Sequence, residues 1–258
     1  MGRLDGKLCL ITGAGSGIGL ALAREALRQG GRVLAIDRDA KALAALKAET
    51  GAETLAADVA AGPRYAAALE KAARRGAPEI MVNNAGIARL GAFAEQELDV
   101  FERVLDVNLK GVVWGAHFAL RKMLKADGGI IINIASMAGH LAAPFMASYC
   151  ASKFAVVGFT RALQAELRLA KSPVRACVVC PGFIDTPIMS QPGVRFPDSL
   201  RWLVGRPEPL AREVWRQALA GRDEVYPDFG GRLLRVLHRF APGLLALSER
   251  AFAASLAP

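Results

Sequence analysis

Histidine and cysteine are scarce in this chain of 258 residues, with three of the first and four of the second. His117 and His238 have no partner at metal-ligand spacing, so no metal site is expected. Cys177 and Cys180 form a Cys-x-x-Cys, but within Val-Arg-Ala-Cys-Val-Val-Cys-Pro, a run that reads as a buried strand. Side chains three apart on a strand point to opposite faces, which argues against a shared metal or a redox pair. Cys9 and Cys150 stand alone. No apolar run is long enough to cross a bilayer. The start, Met1 to Lys7, is a short polar lead-in, followed by only a strand's length of apolar residues before a glycine loop, unlike a signal peptide. Gly2 lacks the Ser or Thr at the sixth position that myristoylation needs. A cytoplasmic address is the expectation.

The chain also lacks concentrated charge. Its formal net charge is +9, yet no five basic residues are consecutive, and residues 191–258 carry ten arginines against seven acids. So diffuse an excess suits solubility and attraction for an anionic cofactor, and no nucleic-acid partner is expected. At 53% hydrophobic residues the chain is no disordered polymer, and its length suits one α/β domain.

What is present is alternation. Short β-branched or apolar runs at 8–11, 32–36, 54–57, 80–82, 130–134 and 174–179 alternate with alanine- and leucine-rich stretches. That is the pattern of repeated βαβ units and a parallel sheet. The longest helices are expected at 100–125 and 149–171, with apolar residues on more than one face, which suits a homo-oligomer contact. No internal repeat is visible. After Pro181, prolines at 187, 192, 197, 207, 209, 227 and 242 break the pattern. The stretch 187–230 is therefore read as a substrate lid, with Ile188, Met189, Phe196, Trp202, Leu203 and Val204 as its apolar members, and 231–258 as a helical tail.

The first strand runs into Thr-Gly-Ala-Gly-Ser-Gly-Ile-Gly, residues 12–19, and then into a helix at 20–28. Glycines at such a turn permit positive φ and let backbone amides approach a pyrophosphate, whose charge a helix N-terminus favours. The spacing of Gly13, Gly17 and Gly19 departs from the common dinucleotide fingerprint, because Ile18 stands where a third glycine is usual. Asp37 closes the second strand, where a carboxylate can accept from ribose hydroxyls and repel a 2′-phosphate. NAD is favoured over NADP on that ground, with Arg38 as an alternative partner for adenine or phosphate. Asp39 is better placed to cap the next helix. Asp58 and Asn83-Asn84-Ala85-Gly86 follow the third and fourth strands, at the sheet edge where ligands bind.

Tyr149-Cys-Ala-Ser-Lys153 lies thirteen residues beyond Ser136, which itself follows the fifth strand. Tyr149 and Lys153 are four apart and share a helix face. A lysine ammonium near a phenol is expected to lower the phenol's pKa, tuning it for acid/base work.

Taken together, the glycine loop, Asp58, residues 83–86, Asn108, Ser136, Tyr149, Lys153 and the Pro-Gly-Phe-Ile-Asp-Thr of 181–186 resemble the short-chain dehydrogenase/reductase family, over residues 4 to about 190. The resemblance implies a nicotinamide cofactor and a single Rossmann-type, doubly wound parallel sheet with helices on both faces. It also implies a catalytic set of Asn108, Ser136, Tyr149 and Lys153. Tyr149 would exchange a proton with the substrate oxygen that Ser136 orients, Lys153 would hold the ribose, and Asn108 would hold a water leading from the lysine to solvent. The implied cofactor cradle comprises Gly13, Ser16, Gly17, Ile18, Gly19, Asp37, Arg38, Asp58, Val59, Asn84, Ala85, Gly86, Tyr149, Lys153, Pro181, Gly182, Ile184 and Thr186. Substrate is expected against Ser136, Met137, His140, Phe145, Tyr149 and Met189, with Leu141 and Met146 nearby.

That largely apolar set points to a hydrophobic secondary alcohol or ketone, lipid-like or polycyclic. The alternatives are an NADPH-dependent 3-oxoacyl reductase, which Asp37 disfavours, and a non-catalytic NAD-binding scaffold, which has no need of the catalytic set. In the tail, Leu233, Val236, Leu237 and Phe240 fall at helical spacing beside Arg232, Arg235 and Arg239. Such a helix packs on the domain or a second subunit, the favoured reading, or touches anionic lipid as a peripheral membrane contact.

Overall fold

The computed structural model describes residues 3–126, 128–189 and 198–240. Phe196 of the expected lid and the tail beyond residue 240 lie outside the described residues. All six expected strands form: β1 (Leu8–Thr12), β2 (Arg32–Asp37), β3 (Glu53–Ala56), β4 (Ile80–Asn83), β5 (Gly129–Ile134) and β6 (Val174–Val179). A seventh, β7 (Glu224–Val225), joins them in one parallel sheet of order β3-β2-β1-β4-β5-β6-β7.

The central strands are mainly apolar because both sheet faces are covered, and their side chains divide by alternation, whereas the outer β3, Glu-Thr-Leu-Ala, is only half-buried. Cys9 and Ile11 of β1, Val33 and Ala35 of β2 and Ile80 and Val82 of β4 enter one core layer. Leu8 and Leu10, Leu34 and Ile36, and Met81 enter the other. The same rule separates Cys177 from Cys180, which join different clusters. All four cysteines are buried and free.

Helices α1 (Gly17–Arg28), α2 (Ala40–Thr50), α3 (Pro63–Ala72), α4 (Leu98–Leu105), α5 (Gly111–Met123) and α6 (Ala147–Leu169) precede α7 (Pro207–Leu219) and α8 (Phe229–Phe240). Asp39 caps α2 as expected, its carboxylate accepting from the Lys41 and Ala42 amides. Two expectations need correction. The helix expected at 100–125 is two helices joined by a π-helical turn, Asp106–Lys110, and Asn108 sits in that turn. The stretch 187–230, expected to be a lid, contains α7. Pro207 stands at the first position of α7, where the missing N–H and the fixed φ of proline suit a helix start. Trp215 of α7 is fully buried and donates its indole N–H to the Leu22 carbonyl on α1. One face of α7, with Leu210, Ala211, Val214, Trp215 and Ala218, therefore belongs to the core.

Strand order reverses between β1 and β4, and side chains stitch that crevice together. Thr12 Oγ1 accepts from the amides of Asn84 (2.9 Å) and Ala85 (3.0 Å), and Asn84 Nδ2 donates to the Thr12 carbonyl at 2.9 Å. Such a switch point is where open α/β sheets hold ligands. Among the described residues, no helix is long and apolar enough to cross a membrane, and no cluster of three or more His, Cys, Asp or Glu could hold a metal.

Candidate active site

Along the C-terminal edge of the sheet runs a cavity of about 670 Å³. The glycine loop forms one end. Gly13 (φ 65°) and Gly17 (φ 52°) hold left-handed backbone, and a Cβ at Gly17 would stand 3.1 Å from Thr186 Cγ2, so the loop and the turn after β6 close on each other. Ser16 precedes α1 without capping it by its side chain, leaving the first amides of the helix available to an anion at that end of the cavity. Asp37 Oδ2 accepts from the Gly15 amide at 2.9 Å and Oδ1 from Asp39 at 3.0 Å. Each oxygen keeps a further acceptor position.

Of the expected cradle, Gly13, Ser16, Gly17, Ile18, Asp37, Arg38, Asp58, Val59 and Asn84 to Gly86 line this cavity, as do Pro181, Gly182, Ile184 and Thr186. Gly19 does not. Its role is packing, since a Cβ there would fall 2.0 Å from the Gly13 carbonyl oxygen and 2.5 Å from Asn84 Nδ2. Asp58 meets Arg103 of α4 at 2.6 Å, and Arg103 also lines the cavity. Although burial works the other way, the hydrogen bonds from Arg103 and the Ala60 amide leave the Asp58 pKa lowered.

Ser136, Tyr149 and Lys153 all line the cavity. Ser136 follows β5, and its Oγ accepts from the Ala138 amide at 3.1 Å, which leaves its proton free to be donated. Lys153 Nζ lies 5.6 Å from the centroid of the Tyr149 ring and donates to the Ile134 carbonyl at 2.9 Å. The expected lowering of the phenol's pKa is not what these side chains produce. Burial pushes Tyr149 up to about 12 against the smaller downward pull of the Ser136 hydrogen bond. Burial also pushes Lys153 down, to about 8. At neutral pH the phenol therefore holds its proton, and the lysine is charged at a cost.

Asn108, in the π-helical turn, is fully buried and does not line the cavity. Its Oδ1 accepts from the Ile87 amide at 2.8 Å, and its Nδ2 donates to the Ile87 carbonyl at 2.9 Å and to Ser152 Oγ at 3.0 Å. A Cβ added at Gly86 would stand 3.4 Å from Asn108 Oδ1 and 3.6 Å from Lys153 Nζ, so both groups border one small space.

Of the residues expected against substrate or nearby, Met137, Leu141, Met146 and Met189 line the cavity, but His140 and Phe145 do not. His140 Nε2 lies 3.4 Å from Cys180 Sγ and 3.3 Å from the Tyr226 hydroxyl, which donates to Glu224 at 2.9 Å. Burial, then Arg161, lowers the His140 pKa. The imidazole braces the loop from behind. At Phe145, left-handed backbone (φ 62°) sets its neighbours Pro144 and Met146 on the cavity and leaves the phenyl off it. Leu233, Leu234 and Leu237 of α8 roof the cavity, with Trp202 and Leu203 also lining it. Asp228 fastens that roof, its two carboxylate oxygens accepting from Gly182 (2.9 Å) and Gly231 (2.7 Å). Sequence reasoning passed over Asp228. An Asp ahead of a helix start is an N-cap signal, but its second bond, to Gly182, exists only in the fold.

Lys153 yields a stability prediction. A lysine ordinarily near 10.5 that falls to about 8 on folding costs about 3 kcal/mol at neutral pH. That cost is complete below pH 8 and disappears as pH rises to the unfolded value, so Lys153 makes stability climb across this window. Lys153→Met should remove turnover yet stabilise the fold by about 1–2 kcal/mol at pH 7, after about 1 kcal/mol is lost at the Ile134 carbonyl. Urea unfolding at pH 7 and near pH 10 measures this, and a destabilised variant at pH 7 would contradict it.

A phenol, a hydroxyl and an ammonium beside a glycine-loop cleft at a sheet switch point define a dinucleotide-dependent oxidoreductase site. The profile of the short chain dehydrogenase family matches residues 7–193, and the chain belongs to that family of nicotinamide-dependent oxidoreductases. It is 42% identical over 170 residues to D-threitol dehydrogenase of Mycolicibacterium smegmatis, covering 64% of this chain and 65% of that enzyme. It thus spans somewhat less than two thirds of that relative's length. It is 33% identical to mouse estradiol 17-beta-dehydrogenase 11 over 92% of this chain and 80% of that one. A short chain dehydrogenase/reductase from Burkholderia phymatum, solved in complex with NAD, superimposes with a TM-score of 0.79 at 30% identity, covering 93% of this chain and 95% of the other.

Proposed function

We propose that the chain moves a hydride between NAD and a secondary alcohol or ketone with an apolar body, using Tyr149 as the acid/base. The observation that carries this reading is the convergence of Ser136, Tyr149 and Lys153 on one apolar cavity whose far end holds the glycine loop and Asp37. Tyr149, protonated at neutral pH, donates to the carbonyl oxygen in reduction and is left as the phenolate; oxidation runs the same step in reverse, with the phenolate taking the alcohol proton. Ser136, whose Oγ already accepts from Ala138, donates to the same oxygen and fixes its direction. Lys153 has two N–H groups left after Ile134. They would hold the ribose hydroxyls and stabilise the phenolate. Asn108, bordering the space beside Lys153, positions that lysine through Ile87 and Ser152. The nicotinamide, when bound, supplies or accepts the hydride. Ile184 and Thr186 would hold its carboxamide, and Asp37 the adenosine ribose.

The relatives are named for both a small polyol and a steroid. Met137, Leu141, Met189, Leu234 and Leu237 around the substrate end favour the apolar class, because a polyol's hydroxyls would lose water there without finding partners. Initial rates over steroids, long-chain secondary alcohols and polyols test this, and turnover confined to polyols would reject it. Exposed Val113 on α5 and Phe154 on α6 support a homo-oligomer, to be read by sedimentation equilibrium.

Cofactor choice gives a second test. Asp37→Ala should improve the ratio of NADP to NAD efficiency about tenfold or more, by removing a carboxylate that repels the 2′-phosphate while the Arg38 charge stays. Parallel kcat/KM measurements decide it, and an unchanged ratio removes Asp37 from the cofactor site.

A further inference from the structure

We infer that the rim of the substrate cavity is a membrane-contact surface for anionic lipid, with α8 as its main element. At 100° per residue, the apolar side chains of α8 form one continuous arc. Leu234, Leu237 and Leu233 make up its inner part and line the cavity. Phe240, Phe229 and Val236 continue the arc outward and are 75%, 58% and 53% exposed. The apolar stripe is wider than the groove it covers, so half of it overhangs. Trp202, 62% exposed, lies 6.0 Å from Phe229 ring to ring and carries the overhang to the neighbouring rim.

Next round the helix come Arg232, Arg239 and Arg235, then His238, and α8 contains no acidic residue. Arg235 stacks 4.2 Å over the Tyr226 ring and Arg232 reaches the Pro227 carbonyl, so these two cations stand on the body of the protein. Exposed aromatics bordered by arginines suit the boundary between headgroups and acyl chains. A second copy suits it less. Two-fold pairing would set these arginines against themselves in a chain of net charge +9, whereas anionic headgroups neutralise them. On this proposal the two sides of the tail helix have different partners. The inner side packs on the domain, and the outer side meets lipid. For an apolar substrate, which rests on the proposed function, the rim would open toward the phase where that substrate dissolves.

Vesicle flotation of the full chain tests the surface, using phosphatidylcholine alone and phosphatidylcholine with about a quarter phosphatidylglycerol. Binding is expected to the anionic vesicles and to be salt-sensitive. It should fall about tenfold or more in Val236→Ser/Phe240→Ser and, separately, in Arg232→Glu/Arg239→Glu. Neither pair lines the cavity, so lipid-free turnover should be retained. Equal binding to neutral and anionic vesicles overturns the proposal, as does absence of binding to either. Loss of a dimer in these variants without any vesicle binding would assign the surface to a second copy. Failure of the apolar-substrate reading would appear separately, as polyol turnover in the lipid-free assay.

Discussion

Tyr149→Phe should lower turnover by about a hundredfold or more, while NADH affinity followed by fluorescence stays within about twofold. The substitution removes one oxygen from a ring whose other contacts persist. The Ser136 hydroxyl stays tethered by the Ala138 amide, and Lys153 stays tethered to Ile134. Neither the glycine loop nor Asp37 touches the lost atom. A pure rate effect therefore separates proton transfer from binding. It also bears on the elevated Tyr149 pKa of about 12. If the phenol works as the acid, carbonyl reduction by the parent enzyme should proceed across neutral pH with the group protonated. An unchanged rate in Tyr149→Phe would remove the tyrosine from the chemistry.

Gly19→Ala should cost about 3 kcal/mol and lower the melting temperature by about 6–12 °C, with weaker cofactor binding as a consequence. Few positions in the chain leave so little room. The added methyl would stand 2.0 Å from the Gly13 carbonyl and 2.5 Å from Asn84 Nδ2, far inside van der Waals contact. Both obstacles are held, since Asn84 donates to the Thr12 and Gly13 carbonyls. Relief requires the glycine loop to lift off β4, and that seam joins the loop to residues 84–86. Differential scanning calorimetry with and without NADH tests both parts. A variant with unaltered melting would show that the seam can yield.

Legibility of the chain varied with the kind of signal. Each of the six expected strands formed within a residue or two of its expected bounds, most plainly where a strand buried on both faces, as β1, β4 and β5 are, leaves a near-continuous apolar run. β7 was missed because two residues carry no period. α7 was missed because Pro207 and Pro209 were read as breaks, although the first of them begins the helix. At the site, positions set by strand ends were legible, and Ser136 and Asp37 both line the cavity. Positions in the irregular loop after Ser136 were not. His140 and Phe145 were placed by nearness to Ser136 in the chain, but one faces Cys180 and Tyr226 and the other leaves the cavity through a left-handed turn.

The order of residue types along the chain was enough by itself to determine the parallel layered class, the glycine-loop turn, the capping of α2 by Asp39 and the helix face shared by Tyr149 and Lys153, because each depends on local geometry with a fixed period. Only the tertiary structure decided the ionisation of that pair, the closure of the site by Asp228 and α8, and the turning of Asn108 toward Ile87 and Ser152. Those depend on burial and on contacts between segments far apart in the chain, and neither desolvation nor long-range proximity is written into neighbouring residues.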